Sequence, residues 1–124
     1  MTAGNAKTLQ RLFADGGPLA AQIPGYRLRA QQLEMAQAIL QAIEGNTVLV
    51  AEAGTGTGKT LAYLVPALLA GGKVIVTTGT KTLQDQLYDR DLPAVRAALS
   101  NRCRFRLRHF RGHGGASSQE RQSQ

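Results

Sequence analysis

The residues with the most chemistry to offer form one run, Ala53-Gly54-Thr55-Gly56-Thr57-Gly58-Lys59-Thr60. Closely spaced glycines let backbone N–H groups converge on one point with no Cβ in the way. Lys59 supplies a charge able to reach the β- and γ-phosphates of a nucleoside triphosphate, and the Thr60 hydroxyl suits the accompanying Mg²⁺. The strict phosphate-loop pattern asks for glycine where this chain has Ala53, so the match is to the relaxed form. A chance glycine-rich turn is the competing reading, and flanking structure decides between them.

The flanks agree with a phosphate loop. Thr47-Val48-Leu49-Val50-Ala51 is a continuous apolar run, which predicts a strand buried on both faces. Beyond the loop, Leu61, Leu64, Val65 and Leu68 recur at helical spacing. Pro66 should kink that helix, and Gly71-Gly72 should end it. Lys73-Val74-Ile75-Val76-Thr77-Thr78 reads as a second buried strand. Strand, crossover helix and strand make one βαβ unit, so the expected fold class is α/β with parallel strands. A helix N-terminus directly after the loop adds the positive end of its dipole to the phosphate site.

Upstream, 26–45 reads as a helix and its approach, with Leu33, Ala36, Leu40 and Ile43 on one face and Gly45-Asn46 as the stop. Gln31, Gln32, Glu34, Gln37 and Gln41 read as its solvated face. Gln32 is the exception worth separating, because a glutamine amide pairs a donor with an acceptor and matches the N6 and N7 edge of adenine. Residues 1–25 form a weakly patterned leader, with a short helix over 8–14 stopped by Gly16-Gly17-Pro18 and a turn at Pro24-Gly25.

Downstream of the second strand, Gly79-Thr80-Lys81-Thr82-Leu83-Gln84-Asp85-Gln86-Leu87 begins another helix on the loop's side of the sheet. Its hydroxyls and Lys81 suit nucleic-acid phosphates, while a plain helix cap by Thr80 or Thr82 fits the spacing as well. Leu83 and Leu87 should face the core, and Asp91-Leu92-Pro93 should restart a short helix.

Composition limits the wider reading. A chain of 124 residues is one domain or part of one, and with 5% aromatic residues and no Trp its core is thin. The net charge of +7 is uneven: 1–99 hold nine Lys/Arg against seven Asp/Glu, and 100–124 hold six Arg against one Glu. The excess therefore belongs to 100–124, where Arg102, Arg104, Arg106 and Arg108 alternate with other residues. That stretch reads either as a disordered basic tail or as an arm for nucleic-acid phosphates. One cysteine, Cys103, excludes an internal disulfide framework, and with His109 and His113 it makes an incomplete zinc set. The N-terminus has no secretory apolar segment and the longest apolar stretch, 61–70, is too short to span a bilayer, so a cytoplasmic protein without a membrane partner is expected.

Three blocks together resemble the amino-terminal part of DinG-type helicases, of the superfamily 2 group that includes XPD, and most of all the YoaA-like branch. Tyr26-Arg27-Leu28-Arg29-Ala30-Gln31-Gln32-Leu33-Glu34-Met35 is similar to the adenine-reading region, with Arg29, Gln32 and Met35 on the family pattern. Glu52-Ala53-Gly54-Thr55-Gly56-Thr57-Gly58-Lys59-Thr60 is that family's form of the phosphate loop, which accounts for Ala53. Thr77-Thr78-Gly79-Thr80-Lys81-Thr82-Leu83-Gln84-Asp85-Gln86-Leu87 resembles the motif following the second strand that touches single-stranded DNA, which implies DNA contacts for Thr80, Lys81 and Gln84. The resemblance spans about 9–99. It implies a partial RecA-like ATP-binding domain over 26–99, ATP and Mg²⁺ as ligands, and a family role in DNA unwinding and repair.

The departures shape the functional expectation. The family's four iron–sulfur cysteines, its Asp-Glu-x-His box and its second motor domain find no counterpart in these residues, so no catalytic set is complete. The expected function is the ATP-binding start of an ATP-dependent DNA helicase. The alternatives are a truncated product without helicase activity and a small nucleotide- or nucleic-acid-binding module. The abrupt change at Ser100 also suits a stretch of 100–124 read out of frame.

Overall fold

The computed structural model of the chain describes residues 3–54, 58–99, 107–109 and 119–121. Helices build the core. α1 (Ala3–Phe13) buries Leu9, Leu12 and Phe13, and α2 (Pro18–Gln22) adds Leu19. Between them Gly16 adopts φ +78, a left-handed conformation that a side chain disfavours. Pro18 then opens α2 from a position where its missing N–H costs the helix nothing. The short helix expected over 8–14 thus begins earlier, at Ala3, a second helix follows it, and both pack into the same core as the elements after them.

α3 (Ala30–Glu44) and α4 (Lys59–Ala70) form the main interface. The buried stripe of α3 is Gln32, Ala36 and Leu40, at intervals of four residues. Ile43, expected on that stripe, is 39% exposed, so the buried face is rotated from the one that the apolar residues mark. α3 ends as expected at Gly45-Asn46. Asn46 takes φ +52, its N–H bonds to the Ile43 carbonyl (3.3 Å), and the Thr47 N–H bonds to that of Ala42 (2.9 Å). These are the two bonds of a Schellman stop, with asparagine in the left-handed position. α4 buries Ala62, Leu64, Val65 and Pro66, while Leu61 and Leu68 are only partly covered.

The helix after Thr80 differs from the expected break and restart. α5 (Lys81–Gln86) passes through a π-helical turn, Leu87–Asp91, into α6 (Leu92–Ala98). The Leu92 N–H reaches the Leu87 carbonyl across that wider turn, immediately before Pro93, which has no N–H to give. Leu87 faces the core as expected, but Leu83 is 51% exposed.

The expected strands take a different form. Neither 47–51 nor 73–78 enters a ladder, and among the described residues the sheet is β1 (Leu107–His109) paired antiparallel with β2 (Gln119–Arg121). Burial on both faces is also corrected: Val48, Val50 and Ile75 are about nine-tenths exposed, against roughly two-fifths for Leu49, Val74 and Val76. The physical reason is the lack of neighbours. A parallel strand is covered on both faces only within a sheet that carries helices on each side. Here one face of 47–51 rests toward the helices, where Leu49 and Ala51 line a cleft of about 340 Å³ with Met35, Ile39 and Tyr63. The expectation of a disordered 100–124 meets the short β1–β2 ribbon, whose alternating sequence suits extended backbone. The remainder of 100–124, with Cys103 and His113, lies outside the described residues.

Candidate functional site

The site begins at the junction of the loop with α4. Gly58 stands at the N-cap position with φ +76 and ψ +36, so the backbone turns into the helix through a left-handed residue. Its carbonyl accepts the first bond of the helix, from the Ala62 N–H at 3.2 Å. The N–H groups of the preceding first turn have no intrahelical acceptor and are available to an anion. Lys59 is exposed at the first helical position and Thr60 follows it, half-buried. Ala53 and Gly54 lead into the loop without regular structure, and Thr55, Gly56 and Thr57 lie outside the described residues.

Gln32 is brought to this junction. Its Nε2 donates to the Gly58 carbonyl at 3.1 Å, across 26 residues of sequence. The side chain is 4% exposed, and its Oε1 is buried with no partner among the described residues. A buried acceptor without a donor costs about 1–3 kcal/mol, so this oxygen marks a place where a ligand's donor would be favoured. Arg29 sits three residues earlier, exposed at the N-cap of α3, and it caps that helix through backbone alone.

A residue that sequence reasoning passed over stands beside Thr60. Burial raises the Tyr63 phenol above its ordinary pKa; a hydrogen bond with the Thr60 side chain opposes that shift, and Asp91 adds to it. The signal was present in the spacing, since residues three apart share a helix face. Tyr63 thus lies one turn beyond Thr60 on α4 and lines the apolar cleft.

Thr80, Lys81 and Gln84 have a separate setting. The Thr80 Oγ1 accepts the Leu83 N–H at 3.2 Å, which is the capping role that its spacing allowed. Lys81 is exposed at the start of α5, and Gln84 is half-buried one turn on. The π-helical turn that follows packs against α4, which ties this helix to the one carrying Lys59 and Thr60.

The residues present fit a magnesium–triphosphate group: a left-handed glycine at the cap, an exposed lysine at the first helical position and a hydroxyl at the second. They do not fit an iron–sulfur cluster, which takes four cysteines where this chain has one. No group of three or more His, Cys, Asp or Glu able to hold a metal occurs among the described residues. No helix among them is long and apolar enough to cross a membrane.

A family model for DEAD/DEAH box helicases matches residues 29–123, and the chain belongs to that family, whose fold is that of the phosphate-loop NTPases. The match continues past the boundary expected at Ser100. Among its relatives is the ATP-dependent DNA helicase YoaA of Escherichia coli (strain K12), 62% identical over 87 residues, which are 70% of this chain and 14% of the relative. YoaA of Haemophilus influenzae is 55% identical over 92 residues, 74% of this chain and 14% of the relative. The ATP-dependent helicase DinG of Mycobacterium tuberculosis (strain ATCC 25618 / H37Rv) is 51% identical over 85 residues, 65% of this chain and 13% of the relative. The expected likeness to YoaA and DinG helicases is borne out. The chain spans about 14% of the length of the YoaA relatives. No solved structure matches the chain.

Proposed function

We propose that this chain supplies the nucleotide-binding segment of an ATP-dependent DNA helicase, with 53–60 as its phosphate loop. The observation that carries the reading is the left-handed Gly58 opening α4 directly onto Lys59 and Thr60, held from behind by Gln32. In this reading, first-turn N–H groups and the Lys59 ammonium bind the phosphates, and the Thr60 hydroxyl turns a lone pair to Mg²⁺. ATP supplies the phosphoanhydride whose cleavage drives the motor. Gln32 and Arg29 lie on the base side of the loop, and Thr80, Lys81 and Gln84 meet single-stranded DNA.

The segments 47–51 and 73–78 serve as strands of a parallel, RecA-like sheet. Their alternating exposure supports this, because each already presents one face inward and holds the other open. The setting is cytoplasmic and the wider role DNA repair, in keeping with the helicase relatives.

The test is calorimetric titration of the chain with Mg·ATP, wild type against Lys59→Ala. Each charge-assisted phosphate bond contributes about 1.5–3 kcal/mol, so the variant should bind at least tenfold more weakly. Equal affinity would overturn the phosphate-loop assignment.

A further inference from the structure

We propose that Gln32 is a positioning residue for the phosphate loop, holding its last peptide in place whether or not a base is bound. The inference rests on the phosphate-loop reading and assigns Gln32 a task there beyond recognition of the base. Three features of the structure carry it. The Nε2 of Gln32 donates to the Gly58 carbonyl at 3.1 Å, and that oxygen also accepts the first bond of α4 from the Ala62 N–H. Gln32 therefore fixes the peptide from which the helix starts and onto which Lys59 is joined. Next, the two residues are in close contact: a Cβ at Gly58 would meet Nε2 and approach Cδ to 3.0 Å, so the glutamine amide would have to move from its bond to the Gly58 carbonyl. Gly58 is thus constrained by its φ of +76 and by the glutamine packed against it. Finally, Gln32 is 4% exposed on the buried stripe of α3, with Oε1 unpartnered among the described residues. A polar side chain is held there at a desolvation cost that packing alone does not explain.

The consequence differs from that of base reading. A residue that recognises only the base matters to ATP and is indifferent to a triphosphate without one. A residue that fixes the Gly58 peptide acts on the phosphate ligands themselves, because first-turn N–H groups and Lys59 follow that peptide's orientation. Both roles are compatible in one amide, since Nε2 carries a second hydrogen and Oε1 has no partner among the described residues.

The experiment measures Mg·ATP and Mg·tripolyphosphate binding to the full chain by calorimetry, with thermal unfolding recorded alongside. Gln32→Met keeps the length and apolar stem of the side chain but removes the donor. It should weaken both ligands by a similar factor, about 3- to 10-fold, as expected for one lost hydrogen bond. Gln32→Glu keeps the shape, and its protonated form regains a donor. Its deficit for tripolyphosphate relative to wild type should therefore shrink from alkaline to mildly acidic pH, which general destabilisation would not produce. If Gln32→Met does not fold, this pH-dependent recovery decides the matter. Loss of ATP affinity with wild-type tripolyphosphate affinity in either folded variant overturns the inference and leaves Gln32 to the base. A wild-type chain that binds neither ligand, or binds both equally after Lys59→Ala, overturns the phosphate-loop reading as well.

Discussion

The Tyr26 hydroxyl donates a 2.7 Å hydrogen bond to the Phe13 carbonyl, joining the end of α1 to the approach of α3. Asp15 accepts the Leu28 N–H at 2.8 Å across the same corner. These two contacts fasten the amino-terminal helices beside the element that carries Gln32. Burial, with a contribution from Asp15, pushes the Tyr26 phenol up to about 12 from its ordinary value near 10. A phenol raised on folding keeps its proton longer in the native state than in the unfolded one. Its contribution to stability is therefore complete below about pH 10 and is lost as pH rises through about 12. Tyr26→Phe should cost about 0.5–1.5 kcal/mol at neutral pH and flatten the decline across that window. Urea unfolding of both proteins at neutral and alkaline pH checks the sign; an unchanged alkaline slope in the variant would refute it.

Two glycine substitutions should act in opposite directions. Gly4 lies within α1, and a Cβ there meets nothing within 4 Å, so Gly4→Ala should stabilise by about 0.5–1 kcal/mol. Gly58→Ala forces a left-handed alanine, at roughly 1–2 kcal/mol, and adds the collision with Gln32. Thermal midpoints should move up for the first and down for the second. Triphosphate binding should fall only in the second.

The sequence made most of the helices legible for local reasons, and the failures mark where distant partners decide. Gly45-Asn46 announced its stop because a left-handed asparagine satisfies the helix end with nearby atoms. Gln32 was harder: a polar residue beside an apolar stripe reads as outward-facing, and its acceptor, the Gly58 carbonyl, is 26 residues away. The Val and Ile runs showed an extended preference, but pairing is set by other strands, and without them neither run enters a ladder. Pro93 signalled a break, whereas the wider turn ahead of it carries the helix through. The short second helix of the leader, α2, escaped notice because Leu19 stands alone beyond the glycine pair that stops α1.

The open apolar face of 47–51 and 73–78 should make the isolated chain prone to association. Val48, Val50 and Ile75 stand at about nine-tenths exposure, flanked by backbone groups outside any ladder. Replacing all three by Thr keeps the β-branch and removes apolar surface. The substituted chain should bind less of an apolar dye and sediment as a smaller species at high concentration. Its thermal midpoint should stay near that of wild type, because the removed groups contact solvent. A large drop in that midpoint would show that these side chains contribute to the monomer's own core.

The last expectation is that the chain binds ATP without turning it over. Phosphoryl transfer needs a carboxylate to share Mg²⁺ with Thr60, a group to orient water and a cation opposite the transferred phosphoryl. The acidic residues beside the described core are otherwise engaged or misplaced. Asp15 accepts from the Leu28 N–H, Glu44 from the Asn5 amide at 2.8 Å, and Asp91 pairs with Arg90 at 3.2 Å. Glu34 and Asp89 are exposed on helices, Asp85 is half-buried on α5 with an interaction of its own, and Glu52 precedes the loop itself. None stands at the end of a strand beside the loop, where a metal-sharing carboxylate would face Thr60. Phosphate release by the purified chain should therefore equal that of Lys59→Ala, with or without single-stranded DNA. Hydrolysis that DNA stimulates and Lys59→Ala abolishes would mean that residues of this chain complete the catalytic set.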